Sequence, residues 1–282
     1  MNKILKYPGS AILKLLVMIS ACFTFTVLFF LIGYILINGI PHLSLDLFAW
    51  EYNTENVSMM PAIINTVIIT VLALLIAVPI GIFSAIYLVE YAKKGNKFVG
   101  LIQITTETLS GIPSIVYGLF GMLFFVNALK WRHSLLAGAF TIAIMVLPSI
   151  MRTTEEALKS VPGSYREGSF GLGAGKLRTV FRIVLPSAIP GILAGVILAI
   201  GRIVGETAAL IYTAGTVAEV PDSVMDSGRT LAVHMYNLSN EALYMDQAYA
   251  TAVVLLILVI GINSLSSFVA KKLTKGNGNG EN

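Results

Sequence analysis

Six apolar stretches, each long enough to cross a bilayer, constrain this chain more than any other feature. A window of about 19 residues marks them near 12–38, 62–89, 102–127, 135–151, 188–217 and 248–270. At a rise of about 1.5 Å per residue each covers roughly 30 Å of hydrocarbon, the fourth at the lower limit. Peptide groups in lipid find no water, so each stretch must satisfy its own hydrogen bonds as a helix. Hydrophobic residues make up 56% of the chain and charged residues 12%, where a soluble domain carries roughly a quarter charged. A water-soluble fold is excluded, and the expected class is all-α, a polytopic membrane helical bundle of about six transmembrane helices.

Lys3 and Lys6 resemble the charged start of a signal peptide, but the apolar run 15–37 exceeds the usual h-region and no small-x-small site follows it. The first stretch is therefore expected to stay as a helix. With the N-terminus inside, the inner loops hold Lys3, Lys6, Lys93, Lys94, Lys97, Arg152, Lys159, Arg166, Lys176, Arg178, Arg182, Lys271, Lys272 and Lys275. The outer loops hold Lys130, Arg132 and Arg229. By the positive-inside rule both termini are expected to be cytoplasmic in a bacterial inner membrane. The net charge of +4 is spread over several loops, a topology signal rather than a nucleic-acid surface. The single cysteine, Cys22, allows no intrachain disulfide and no cysteine-based metal site, and is expected to be a small core residue. The expected organisation is a short N-terminus 1–11, a transmembrane domain 12–270 and a flexible tail 271–282.

The loop 152–187 is too long and polar between two spans to be a mere connection. Pro162-Gly163-Ser164 reads as a turn, with Ser164 as N-cap and Glu167 completing a capping box. A helix from about Tyr165 to Leu172 is expected to follow, ended by glycines 173 and 175 and projecting Tyr165, Phe170 and Leu172. Two turns of helix are unstable alone, so this one must pack either on its own bundle or in a groove of a partner.

Within that loop Glu167-Gly168-Ser169, then Gly173, then Ile183, Leu185 and Pro186 resemble the EAA signature of ABC importer permeases, E-A-A-x3-G-x9-I-x-L-P. The spacing matches throughout, and the departure is Gly168-Ser169 in place of two alanines. Small size is kept, although glycine should weaken the helix by about 1 kcal/mol relative to alanine. The resemblance implies a type I, MetI-like fold. It also implies a coupling role toward a separate ATPase for Glu167, Gly168, Ser169, Phe170, Gly173, Ile183, Leu185 and Pro186. The chain itself carries no phosphate-binding loop: Gly175-Lys176 is followed by Leu177, and Phe170 stands where the first glycine is needed.

Glu107, Arg202 and Glu206 fall inside predicted spans, where a charge costs roughly 2.5–3.5 kcal/mol and usually faces the bundle interior or a water path. Arg202 and Glu206, four apart, either form a structural ion pair or share the arginine fork with a passing oxyanion. Pro113 interrupts the third span. It is either a simple kink or a break at which Ser110 and Ser114 present hydroxyls on one face toward an anion. Gly191-x3-Gly195 and Gly201-x3-Gly205 are spacings that permit close helix contact, and fit a dimer seam without requiring one.

The stretches 109–118 and 201–208, with Thr230-Leu231-Ala232-Val233-His234, resemble the PstA family of phosphate-specific permeases over about residues 60–270. The resemblance implies a phosphate importer with a substrate path through Arg202 and Glu206. It also implies a PstC-type sister permease, a PstB-type ATPase dimer that holds ATP and Mg, and a PstS-type external phosphate-binding protein. No cofactor is expected on this chain. A permease for molybdate, tungstate or sulfate stays open as an alternative. An intramembrane enzyme is disfavoured because His42, His133 and His234 all fall in predicted loops, and a secondary transporter would leave the EAA loop unexplained.

Overall fold

A computed structural model describes residues 8–93, 95–241 and 244–277. Lys3, Lys6, Lys94 and the end of the tail, 278–282, lie outside them. The described residues form eleven α-helices, joined by short 3-10 and π-helical segments, and no strand. The long ones are α1 (Pro8–Gly39), α2 (Met60–Ile86), α5 (Leu135–Ser160), α8 (Leu185–Val204) and α11 (Met245–Asn277); between them lie α3 (Lys97–Ser110), α4 (Ser114–Gly121), α6 (Gly163–Gly171), α7 (Lys176–Thr179), α9 (Ala208–Thr213) and α10 (Leu231–Glu241). Five helices are long and apolar enough to span, and α3 with α4 makes a sixth if the bent pair is one span.

The core is the α2–α5 interface, extended by α8 and α9. On α2, Ile69, Ala73, Ala77, Gly81 and Ala85 recur every fourth residue and are buried, which lines them up on one helix face. The small members let the backbones approach; a Cβ on Gly81 would lie 2.7 Å from Ile150 Cγ2. Opposite them sit Ile142, Met145, Val146 and Ile150 of α5, all essentially inaccessible. α1 is the outlier. It meets α11 near Tyr34 and Gly39, where the Tyr34 and Tyr249 rings stack edge-on at 5.9 Å, and its apolar residues are otherwise exposed. Cys22, expected in the core, is exposed on it for that reason.

Several boundaries differ from the sequence expectation. α5 does not stop at residue 151 but continues to Ser160, because its apolar stripe narrows to one face while helix-forming residues carry on. The polar segment 152–187 is therefore mostly helical, with α6 and α7 inside it and a π-helical turn, Val180–Val184, leading into α8. α6 starts at Gly163 with Pro162 at its N-cap and no side-chain cap bond, so Ser164 closes no capping box. α11 runs to Asn277, which makes the first part of the expected flexible tail helical. The predicted fifth span 188–217 breaks at Gly205–Thr207, between α8 and α9.

Candidate functional site

The break in the third span is a turn of 103° between α3 and α4, far more than a proline kink. Gly111, Ile112 and Pro113 carry the turn, and the carbonyls left open at the end of α3 are taken locally. Gly111 N–H donates to Thr108 O and Ile112 N–H to Leu109 O. The Tyr117 hydroxyl of α4 reaches back to Leu109 O at 2.8 Å, and Ser110 Oγ donates to Glu107 O at 2.7 Å. α4 is held in its new direction because Gly118 lies against α9, where a Cβ would come 2.8 Å from Ala209 Cα.

Folding α3 away in this manner opens a cavity of about 470 Å³ between α3, α5 and α8. Its walls are Gln103, Thr106, Glu107 and Ser110 of α3, Pro148, Ser149, Arg152, Thr153, Glu155, Glu156 and Lys159 of α5, and Arg202 of α8. A second cavity, of about 630 Å³, lies on the other side of Arg202 and is lined also by Ser149, Gly201 and Asn263. Three cations and three carboxylates line the first cavity. Arg152 bonds Glu156 at 3.3 Å and Lys159 bonds Glu155 at 2.9 Å. Among the described residues Arg202 has no carboxylate within ion-pair distance, and its guanidinium fork stands open between the cavities. Its place in the last turn of α8 favours a cation, since the carbonyl end of a helix carries partial negative charge.

The structure thus brings Glu107, Ser110 and Arg202 together and leaves out the other two path candidates. Ser114 lies beyond the 103° turn, so it does not share a face with Ser110. Glu206 does not pair with Arg202, because α8 ends at Val204 and the chain changes direction at Gly205. Its Oε1 accepts instead from Ala209 N–H at 3.0 Å, one of the open donors at the start of α9. The sequence reading missed Arg152 and Lys159 as cavity residues, placing them in a loop because the hydropathy window closes at 151. One of the two glycine spacings, Gly191-x3-Gly195, is also reassigned. A Cβ on Gly191 would come 2.7 Å from Ala157 Cβ and one on Gly195 would overlap Thr153, so Gly191 and Gly195 seat α8 on α5 within this chain and are not a seam with another.

At one end of the bundle the EAA residues divide into two sets. Glu167, Gly168 and Phe170 are exposed and Ser169 is buried, its hydroxyl 2.8 Å from that of Thr179. The serine that departs from the alanine pattern is thereby bonded. Tyr165, Phe170 and Leu172 project from the surface, Leu172 with 92% of its area exposed. Gly173 has φ +82°, and the end of α6 is closed by Ala174 N–H to Ser169 O and Gly173 N–H to Phe170 O, the paired bonds of a Schellman motif. Ile183, Leu185 and Pro186 are half-buried, with Pro186 directly after the π-helical turn Val180–Val184 that leads into α8.

The opposite end is closed by a polar knot. Asn65 Nδ2 donates to Glu219 O at 2.9 Å, and Leu231 N–H donates to Thr66 Oγ1 at 2.9 Å. The Arg229 guanidinium lies 4.6 Å over the Tyr52 ring. His234, expected in a loop, is fully buried in α10; burial first, and then the Arg229 charge, push its pKa down to about 3 against a small opposing effect of the Val57 backbone.

A bent helix pair, a basic side chain at a cavity and a short projecting helix at one end are features that suit a transport permease. The chain belongs to the family of binding-protein-dependent transport system inner membrane components, which matches residues 77–276. It is 35% identical over 271 residues to the probable ABC transporter permease protein YqgI of Bacillus subtilis (strain 168), covering 86% of this chain and 90% of that one. It is 35% identical over 205 residues to the phosphate transport system permease protein PstA of Mycobacterium leprae (strain TN), covering 72% and 67%. Its fold is similar to that of a chain in a bacterial alginate ABC transporter crystallised with an alginate-bound periplasmic protein, with a TM-score of 0.69, 15% identity and coverage of 98% and 99%. The chain is an ABC importer permease, a multi-pass protein of the inner membrane.

Proposed function

We propose that this permease carries inorganic phosphate and forms half of the translocation path. The observation that carries the reading is Arg202, a permanently charged fork that has no carboxylate partner among the described residues and stands at the junction of two cavities. Guanidinium matches the planar oxygen pairs of a tetrahedral oxyanion bidentately, and Ser110 and Ser149 stand in the same cavity as hydroxyl donors. The relatives named as phosphate permeases support phosphate over other oxyanions.

In this reading α6 lies on the cytoplasmic side, as the lysine and arginine distribution favours, and both termini are inside. Tyr165, Phe170 and Leu172 dock into a PstB-type ATPase dimer, which holds the ATP and Mg in place of this chain. A PstC-type sister permease supplies the other half of the path and shares with membrane lipid the apolar surface of α1. A PstS-type phosphate-binding protein docks on the outer segments. Closure of the ATPase dimer moves α6 and opens the path outward, and hydrolysis reverses it.

The test is ATP-driven uptake of labelled phosphate into proteoliposomes holding the chain with its copurifying partners, in competition with sulfate, molybdate and tungstate. Phosphate should be taken up and resist competition, and Arg202→Gln should abolish uptake while leaving protein levels unchanged. Uptake inhibited equally by molybdate, or full uptake by Arg202→Gln, would overturn the assignment.

A further inference from the structure

The partly buried ion pair between Glu90 and Arg166 plays no part in the path or in the docking surface described above. Arg166 projects from the middle of α6. Its Nε and Nη2 donate to Glu90 Oε1 at 3.1 and 2.6 Å, its Nη1 to Val161 O at 2.9 Å and its Nη2 also to Leu158 O at 2.9 Å. Only 20% of the arginine side chain and 8% of the glutamate side chain is exposed. Leu158 and Val161 supply carbonyls at the end of α5, which an α-helix leaves without internal partners. Glu90 sits in the π-helical turn Tyr87–Tyr91 that ends α2. One planar fork therefore fastens α6 to the ends of both helices that form the core.

We propose that Arg166 is the positioning residue that transmits displacement of α6 to α2 and α5, with Glu90 as its anchor. The proposal rests on the coupling role given to α6 above. Apart from Ser169, no residue of α6 is buried, so apolar packing does little to carry its motion inward. Arg166 and the Ser169–Thr179 contact are the polar links to the bundle, and they lead to different places. Ser169 ties α6 to α7, whereas Arg166 reaches α5, whose middle and last turns carry Ser149, Arg152 and Lys159 into the cavity. A guanidinium held by four bonds in one plane cannot swing as a lysine would, so a shift of α6 either moves the α2 and α5 ends with it or breaks the pair.

The test uses the whole transporter in proteoliposomes and reads labelled phosphate moved per ATP hydrolysed. Glu90→Gln and Arg166→Met should each lower that ratio about tenfold or more, as expected when distant positioning is lost, with hydrolysis retained. The double variant should be no worse than Arg166→Met alone, because that substitution already removes all four bonds, including both to Glu90. Arg166→Lys should recover only part of the ratio. An unchanged ratio in Glu90→Gln at normal membrane levels, or losses that multiply in the double variant, would overturn the proposal. Should Arg166→Met fail to accumulate, Glu90→Gln decides, since it is isosteric and leaves both carbonyl bonds in place. Leu172→Asp separates this proposal from the one beneath it: transport intact there removes the coupling role of α6 itself, while transport lost there and intact in Glu90→Gln removes only the tether.

Discussion

Gly168 and Gly173 lie five residues apart in and beside the same short helix, and the structure predicts opposite outcomes for the same substitution. Gly173 has φ +82°, and a Cβ there would meet nothing within 4 Å. Alanine at 173 is therefore resisted by backbone conformation and not by space, at roughly 1–2 kcal/mol for a left-handed L-residue. Gly168 is inside α6, also with open space around its Cβ position, and there alanine gains about 1 kcal/mol of helix propensity. Since about 1.4 kcal/mol is a tenfold change in an equilibrium, Gly173→Ala should raise local opening of α6 about fivefold or more, and Gly168→Ala should lower it by a similar factor. Amide hydrogen exchange over residues 165–174 in the purified permease reads this directly. Gly173→Asn, which tolerates the left-handed region, should lie close to the parent and Gly173→Val furthest from it. Equal loss of protection in Gly173→Asn and Gly173→Val, or equal shifts for Gly168→Ala and Gly173→Ala, would refute the conformational argument.

Gly195→Ala should cost about 1–3 kcal/mol by overpacking against Thr153 and lower the melting temperature of the isolated chain; unchanged melting would return the spacing to an intermolecular seam. Arg202 is exposed to its cavities, so Arg202→Lys should leave melting unchanged yet reduce phosphate uptake by loss of the bidentate fork, and a drop in melting temperature would show a structural role instead. His234 titrates near 6.5 when unfolded and near 3 when folded, so below pH 6.5 the unfolded chain takes up a proton that the folded chain refuses. Stability should fall by about 1.4 kcal/mol per pH unit between those limits, and His234→Gln should flatten that slope in thermal melts at pH 7 and pH 5.

The sequence made the spans legible because apolar runs report burial in lipid directly, and it located α6 because the EAA spacing is local. Directions in space were not legible. Pro113 announced an interruption, but the 103° turn depends on Gly118 meeting Ala209, a contact across about ninety residues. The pairing of Arg202 with Glu206 assumed a continuous helix, and Gly205 ends it. The Gly191-x3-Gly195 spacing said that something approaches closely without saying what, and the answer was α5 of the same chain, whereas Gly201 and Gly205 meet no other helix closely. Glu90 and Arg166 stand 76 residues apart, so no periodicity connects them.

Ser110 and Arg202, two of the polar side chains of the candidate path, lie at helix ends, and electrostatics gives the reason. A charge at the middle of an unbroken span costs roughly 2.5–3.5 kcal/mol even on the mildest scales. At the last turn of α8 the carbonyl dipoles offset part of that for Arg202, and the two adjoining cavities admit water. Ser110 closes α3 by the same logic, and Glu206, outside the path, opens α9, each bonding a backbone group that its helix end leaves free. The breaks that spoil a hydropathy count thus make room for an anion path. If α8 were joined to α9 without a break, for example by Gly205→Leu with Thr207→Leu, Arg202 would lose both the helix end and the water, and phosphate uptake should fall even though every lining side chain remained.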